Sequence, residues 1–316
     1  MGLTYIYHKS IAIFLRGLVR PRLDLHSNPD KIIFIPSRDT GRTIKAHVYK
    51  PPGEKQKHPS PVLINFCGSG FVLRTFGSDD EYCRFIADNT DYTVIDVQYR
   101  LAPESPFPAA FNDAEDAVTW VRSVPEQFDI SCVSLSGFSA GANIALAVSC
   151  SSSLFNSKEN PDVFRTVMSF YGPVDMALPT PQKPLADQSN FIMRKIFPPF
   201  SHLCHKCLNF AGVDPRDHRL SPLFAEPSSF PDNVLIITAA QCAFAIEAEK
   251  LAKNIRNIDG KYVICERMYG CAHGWDKEAV QGTPQFEAKG KAYEMAASML
   301  RKREGGVEKL QATARD

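Results

Sequence analysis

Short apolar runs alternate with amphipathic stretches along most of the chain. Lys31 to Pro36 (KIIFIP) and Arg42 to Tyr49 (RTIKAHVY) predict two strands joined by the turn-rich Ser37-Arg38-Asp39-Thr40-Gly41. Val62 to Phe66 (VLINF) is mostly apolar, as in a strand buried on both faces. Thr93 to Gln98, Cys132 to Ser136, Arg165 to Tyr171, Val234 to Thr238 and Lys261 to Met268 complete eight predicted strands. Helical spacing falls between them, at Asp79 to Asn89, Ala109 to Val121, Ala142 to Val148, Ala245 to Ile255 and Phe286 to Lys302. In the second of these, Asp113, Glu115 and Asp116 are placed on polar faces. The alternation predicts an α/β fold with a mainly parallel eight-stranded sheet and helices on both sides.

One segment breaks the pattern. Between Asp175 and Phe230 the chain is long, proline-rich and mixed, with short helical pieces such as Asn190 to Ile196. A structureless loop of that length is improbable in a compact domain, which predicts a cap. The expected organisation is a cap helix region over 1–30, an α/β core over 31–175 and 231–303, the inserted cap over 176–230, and a flexible tail over 304–316. The apolar run Ile11 to Leu15 in the first of these is too short to span a membrane, so a soluble amphipathic helix is expected there.

Composition narrows the function. The 316 residues carry 36 basic and 35 acidic side chains, so neither nucleic acid nor an acidic membrane surface is favoured as partner. Nine cysteines, an odd number, lie mostly in predicted strands and helices, and no N-x-S/T sequon occurs. Reduced thiols in a cytoplasmic protein are expected, with a homodimer compatible. Cys204-His205-Lys206-Cys207, preceded by His202, lacks the second ligand pair of a structural zinc site, so neither metal nor cofactor is expected.

The chemistry centres on Gly137-Phe138-Ser139-Ala140-Gly141, a G-x-S-x-G between a predicted strand and helix. A serine on that tight turn presents its hydroxyl to a base. Upstream, Cys67-Gly68-Ser69-Gly70-Phe71 follows a strand. Downstream, His273 stands in the glycine-flanked turn Gly270 to Trp275. Oxyanion loop, nucleophile, then histidine is a chain order suited to acyl transfer. Ser139 is the candidate nucleophile and His273 the candidate base. Backbone amides of Ser69, Gly70 and Ala140 are the candidate oxyanion donors, with Gly68 shaping the loop. His47 and His58 lie in or near surface segments and are expected to be solvated.

Several strings carry a resemblance: NFCGSGF at 65–71, DVQYRLAPESPFPAA at 96–110, GFSAGAN at 137–143, RLSPLFA at 219–225 and GCAHGW at 270–275. With these the chain resembles the hormone-sensitive-lipase family of α/β-hydrolase esterases, especially its fungal members. The resemblance implies a capped carboxylester hydrolase with a Ser–His–acid triad and no metal. It also implies a small-molecule substrate, a small or medium hydrophobic ester such as a polyketide acetate of fungal secondary metabolism. Three positions depart from the family. Cys67-Gly68-Ser69 replaces its His-Gly-Gly, Phe138 stands where an acidic residue is common, and Cys242 occupies the position of the catalytic aspartate. A neutral thiol cannot stabilise an imidazolium as a carboxylate does, and losing the acid costs roughly 10⁴-fold in known triads. Three outcomes are open. Asp175, or less directly Glu247, could substitute; Ser139 and His273 could act as a slow dyad on a reactive ester; or the site could serve a non-hydrolytic step or binding.

Overall fold

The computed structural model describes residues 3–19, 27–151, 164–208 and 212–302. The expected tail over 304–316 lies outside the described residues. Eight strands form one sheet: β1 (Lys31–Pro36), β2 (Thr43–Tyr49), β3 (Ser60–Phe66), β4 (Thr93–Val97), β5 (Phe128–Phe138), β6 (Thr166–Phe170), β7 (Asn233–Ala239) and β8 (Tyr262–Met268). Their spatial order is β1-β2-β4-β3-β5-β6-β7-β8. The two pairings made by β2 are antiparallel and the other five are parallel.

Periodicity explains the layers. Along β5, Val133 and Leu135 join one apolar cluster, while Cys132 and Phe138 join a second. Alternate side chains of a strand face opposite sides, so one strand serves two cores. The helices that flank the sheet are α2 (Asp80–Asn89), α3 (Ala109–Arg122), α4 (Ala140–Cys150), α7 (Ala245–Arg256) and α8 (Pro284–Arg301). α3 and α4 supply buried residues to the first cluster, α2 and α8 to the second.

Asp113, Glu115 and Asp116 of α3 are not solvated, against the sequence reading: all three are buried. Asp113 accepts both Nη groups of Arg42 at 2.7 Å, and the amide and Nε of Arg100 at 2.8 and 3.0 Å. Arg38 pairs with Glu115 and Asp116 at 2.8 and 2.7 Å. Spacing alone cannot tell a solvated face from one covered by arginines arriving from the β1–β2 turn and the loop after β4. His47 departs in the same way; it lies buried in β2 with its ring 4.2 Å from that of Phe76.

Three helices lie over the sheet's C-terminal edge: α1 (Leu3–Val19), α5 (Phe191–Lys195) and α6 (Phe197–Leu208). α6 was not predicted, because Pro198 and Pro199 obscure its start. Both prolines sit in its first turn, where a missing N–H costs nothing. α6 packs on α1, and the Cys207 thiol approaches the His8 carbonyl at 3.4 Å. Arg16 of α1 donates to the carbonyls of Val72 and Ala102 and pairs with Glu104, which fastens α1 to the loops that follow β3 and β4.

Candidate active site

The parallel strands deliver the reactive groups to their C-terminal ends, where loops have room to approach one another. β5 ends in Ser139, whose φ of 52° and ψ of −117° put a non-glycine residue in a strained region. The glycines around it answer to close approaches. A Cβ on Gly141 would lie 1.9 Å from the Phe66 carbonyl oxygen, and one on Gly137 would lie 2.4 Å from the Gly141 carbonyl carbon. The turn therefore presses against the end of β3, and only glycine fits at either flank.

That contact brings the loop after β3 beside Ser139. A Cβ on Gly68 would stand 3.3 Å from the Ser139 Cβ. The loop is held from behind. The Tyr99 hydroxyl donates to the Cys67 carbonyl at 2.6 Å and takes the Ser69 hydroxyl at 2.7 Å, while Ser69 Oγ accepts the Phe71 amide at 2.9 Å. Thr75 Oγ1 donates to the Gly68 carbonyl. Among the described residues no protein acceptor takes the amides of Ser69 or Gly70. Ser69, in place of the family's glycine, is thus built into the loop's support through Tyr99.

His273 follows β8. Its Nε2 lies 2.8 Å from Ser139 Oγ and its Nδ1 lies 3.1 Å from Cys242 Sγ. Rings of Tyr171, Phe197 and Phe244 pack around the imidazole at centroid distances of 4.9, 4.5 and 5.5 Å. Burial pulls its pKa down to about 3 against the weaker opposing influence of Asp276, so the ring is neutral at physiological pH. Burial pushes the Cys242 thiol up to about 12, so it is a neutral S–H. The Phe244 amide approaches its sulfur at 3.5 Å.

Neither carboxylate weighed as a substitute acid meets His273. Asp175 Oδ1 accepts the amides of Ala177 and Leu178 at 2.9 and 3.2 Å, closing its own turn. Glu247 accepts the amides of Val174 and Asp175 and pairs at 2.6 Å with the buried Lys183. The carboxylate that does act on the imidazole, electrostatically, is Asp276, a residue the sequence reading did not single out. Asp276 accepts the Tyr171 and Tyr293 hydroxyls at 2.5 and 3.0 Å, and Lys277 stands 2.9 Å away. No motif marks this cluster; it arises from the two residues that follow the histidine turn meeting β6 and α8. Phe138, at the often acidic position, stacks on Phe170 at 4.4 Å with Lys277 Nζ 3.8 Å from its ring centre.

Ser139, His273, Gly68, Ser69, Gly70 and Ala140 line one cavity of about 180 Å³, with mostly apolar walls. Cys242 does not reach it. A larger cavity of about 380 Å³ lies behind the oxyanion loop, bounded by Arg16, Tyr99 and Glu104, and touches neither Ser139 nor His273. Among the described residues, no group of three His, Cys, Asp or Glu side chains is placed to hold a metal ion, and no helix is long and apolar enough to cross a membrane.

A family model for the alpha/beta hydrolase fold matches residues 63–277. The chain is 32% identical over 219 residues to the carboxylic ester hydrolase LipN of Mycobacterium tuberculosis, a match covering 67% of this chain and 56% of that protein. It is 35% identical over 147 residues to a 3-O-acetylpapaveroxine carboxylesterase of Papaver somniferum, covering 41% of this chain and 45% of the other. The first curated relatives are thus matched over a third to just over half of their length. The hyperthermophilic esterase from the archaeon Pyrobaculum calidifontis superposes with a TM-score of 0.68 at 25% identity, covering 95% of this chain and 91% of that one. With the sheet order, the strained serine turn and the family match in agreement, the chain belongs to the α/β-hydrolase fold family, where it is similar to the hormone-sensitive-lipase-like carboxylesterases.

Proposed function

We propose that the chain is a carboxylesterase that works through an acyl-serine intermediate. One observation carries the reading: Ser139 Oγ lies 2.8 Å from His273 Nε2, beside a loop with uncommitted amides. Ser139 Oγ attacks the ester carbonyl while Nε2 takes its proton, and the amides of Ser69, Gly70 and Ala140 receive the oxyanion. Such donors are worth about 3 kcal/mol each. The imidazolium then gives that proton to the leaving alkoxide, and water repeats the sequence to free the acid and restore Ser139. For Nε2 to accept, Nδ1 must carry the ring proton and point it at Cys242 Sγ. In that tautomer Cys242 orients the base as a weak acceptor and leaves its positive charge compensated only weakly, by Asp276.

The small apolar cavity suits short acyl groups, and the weakly compensated imidazolium suits esters with good leaving groups. Within the expected cap, α6 shapes this cavity and α1 packs against α6. The relative named for 3-O-acetylpapaveroxine supports an acetate ester as the substrate class, and within that class our reading is a polyketide acetate.

Cys242 also favours a second reading, a hydrolase descendant used for a non-hydrolytic step or for binding. The two separate on p-nitrophenyl acetate and butyrate. Turnover and organophosphate labelling that both vanish in Ser139→Ala support the esterase. Wild-type hydrolysis at background, with no label on Ser139, sinks it.

A further inference from the structure

We propose that Ser201 and His205 form a polar anchor in the cap that selects esters carrying a second hydrogen-bonding oxygen, such as a hydroxyl, in their acyl or alcohol portion. The inference rests on the esterase reading and adds a substrate class to it.

The anchor follows from how α6 meets the cavity. Phe197, Phe200, Ser201, Cys204 and His205 all line it. Their spacing of i, i+3, i+4, i+7 and i+8 is one face of a helix, so the whole face looks down on the reactive groups. Phe197 rests on His273, and Cys204 touches the oxyanion loop, its Sγ 3.2 Å from where a Gly70 Cβ would be. Ser201 and His205 are the polar members of an otherwise apolar or thiol face.

Their hydrogen-bonding capacity is unspent. Thr180 Oγ1 is 3.4 Å from Ser201 Oγ and 3.4 Å from His205 Nδ1, the long limit for such bonds. His205 Nε2 has no protein partner among the described residues. Ser201 is buried and His205 part-buried, and polar groups set in apolar walls are normally tightly paired, so two loosely held ones facing this cavity call for a partner. The polar groups on the core side of the cavity are already committed. Thr75 donates to Gly68, Ser78 Oγ donates to Asp79 at 3.2 Å, and Lys277 is paired with Asp79 and Asp276. Burial, with Lys183 nearby, holds the His205 pKa down to about 3. The ring therefore offers one donor and one acceptor, without charge, and suits a hydroxyl better than a carboxylate.

The test uses two matched ester pairs: p-nitrophenyl 3-hydroxybutyrate against butyrate, and 2-hydroxyethyl butyrate against propyl butyrate. In at least one pair the hydroxylated member should have the higher kcat/KM by about tenfold, the range one net hydrogen bond supplies. Ser201→Ala and His205→Phe should abolish that preference, read as the ratio of kcat/KM within each pair, while His205→Gln keeps part of it. Calorimetric binding of the same pairs to Ser139→Ala should show the same preference, lost when His205→Phe is added. Absence of preference in both pairs, or a preference both variants leave intact, overturns the anchor. Because the binding arm needs no turnover, an inactive wild type overturns the esterase reading alone and the affinity ratio still decides this one.

Discussion

At the scale of single residues, the site turns on what a sulfur does in place of a carboxylate. Cys242 Sγ stands 3.1 Å from His273 Nδ1, where sulfur can accept the ring proton weakly or the S–H can donate to the ring, so unlike a carboxylate it does not fix one tautomer. It adds no charge, so only the weaker influence of Asp276 opposes the burial that lowers the imidazole pKa to about 3. A base that weak takes a proton reluctantly. Cys242→Asp would put a carboxylate within reach of both Nδ1–H and the Phe244 amide that now approaches sulfur. We expect kcat/KM for p-nitrophenyl butyrate to rise at least about tenfold, a part of the roughly 10⁴-fold that a triad acid supplies. The pH profile gives the sign independently. The base must be unprotonated, so with a depressed pKa the wild type should keep its kcat/KM well below pH 6.5, down to where the fold itself fails. The aspartate raises that pKa, and the acidic limb should move to higher pH. A wild-type limb near 6.5, or no gain in the variant, would show that the imidazole is not in the electrostatic setting described.

At the scale of elements, glycines and apolar runs made most of the architecture readable. The predicted Lys31 to Pro36 is β1, and the predicted Ala245 to Ile255 falls one residue short of α7. G-x-S-x-G was legible because its glycines answer to backbone contacts, which no side chain can evade. The face of α3 was not legible. Its acids look solvated until the β1–β2 turn and the loop after β4 bring Arg42 and Arg100 onto Asp113. That partnership is a latch between a helix and the antiparallel end of the sheet. Asp113→Ala should destabilise the fold by about 3 kcal/mol, since it leaves two half-buried guanidiniums facing an emptied site. Urea unfolding would show it as a lower midpoint at unchanged m. A loss under about 1 kcal/mol would mean that both arginines regain water freely, as surface pairs do.

At the scale of the whole molecule, one buried cluster ties the parts that the site needs. Lys277, four residues beyond His273, pairs with Asp79 at 2.8 Å and with Asp276 at 2.9 Å. Asp79 accepts from Asn65 of β3, which also donates to Asp96 of β4, and Ser136 of β5 donates to Asn65. Asp276 reaches Tyr171 after β6 and Tyr293 of α8. Residues far apart in sequence converge here, and their spacing along the chain carries no trace of it. Burial alone would strip Lys277 of its proton, but Asp276 and Asp79 hold its pKa well above the ordinary value. Burial, with Asp79 beside it, raises Asp96 to about 8, so at neutral pH that acid is largely protonated and adds little to the charge count. The ammonium is then the cation that lets Asp79 and Asp276 stay buried. Lys277→Met keeps the stem and removes the charge. It should cost about 3–5 kcal/mol at pH 7, the penalty for stranding buried carboxylates. The sign with pH is fixed by linkage. Stranded carboxylates have folded-state pKa values above their unfolded ones, so the folded variant binds more protons than the unfolded chain and gains stability as pH falls. The gap between wild type and Lys277→Met in urea should therefore narrow from pH 7 to pH 5. A gap that stays constant over that interval would mean that loss of the ammonium does not strand the carboxylates, so its charge is not what keeps Asp79 and Asp276 buried.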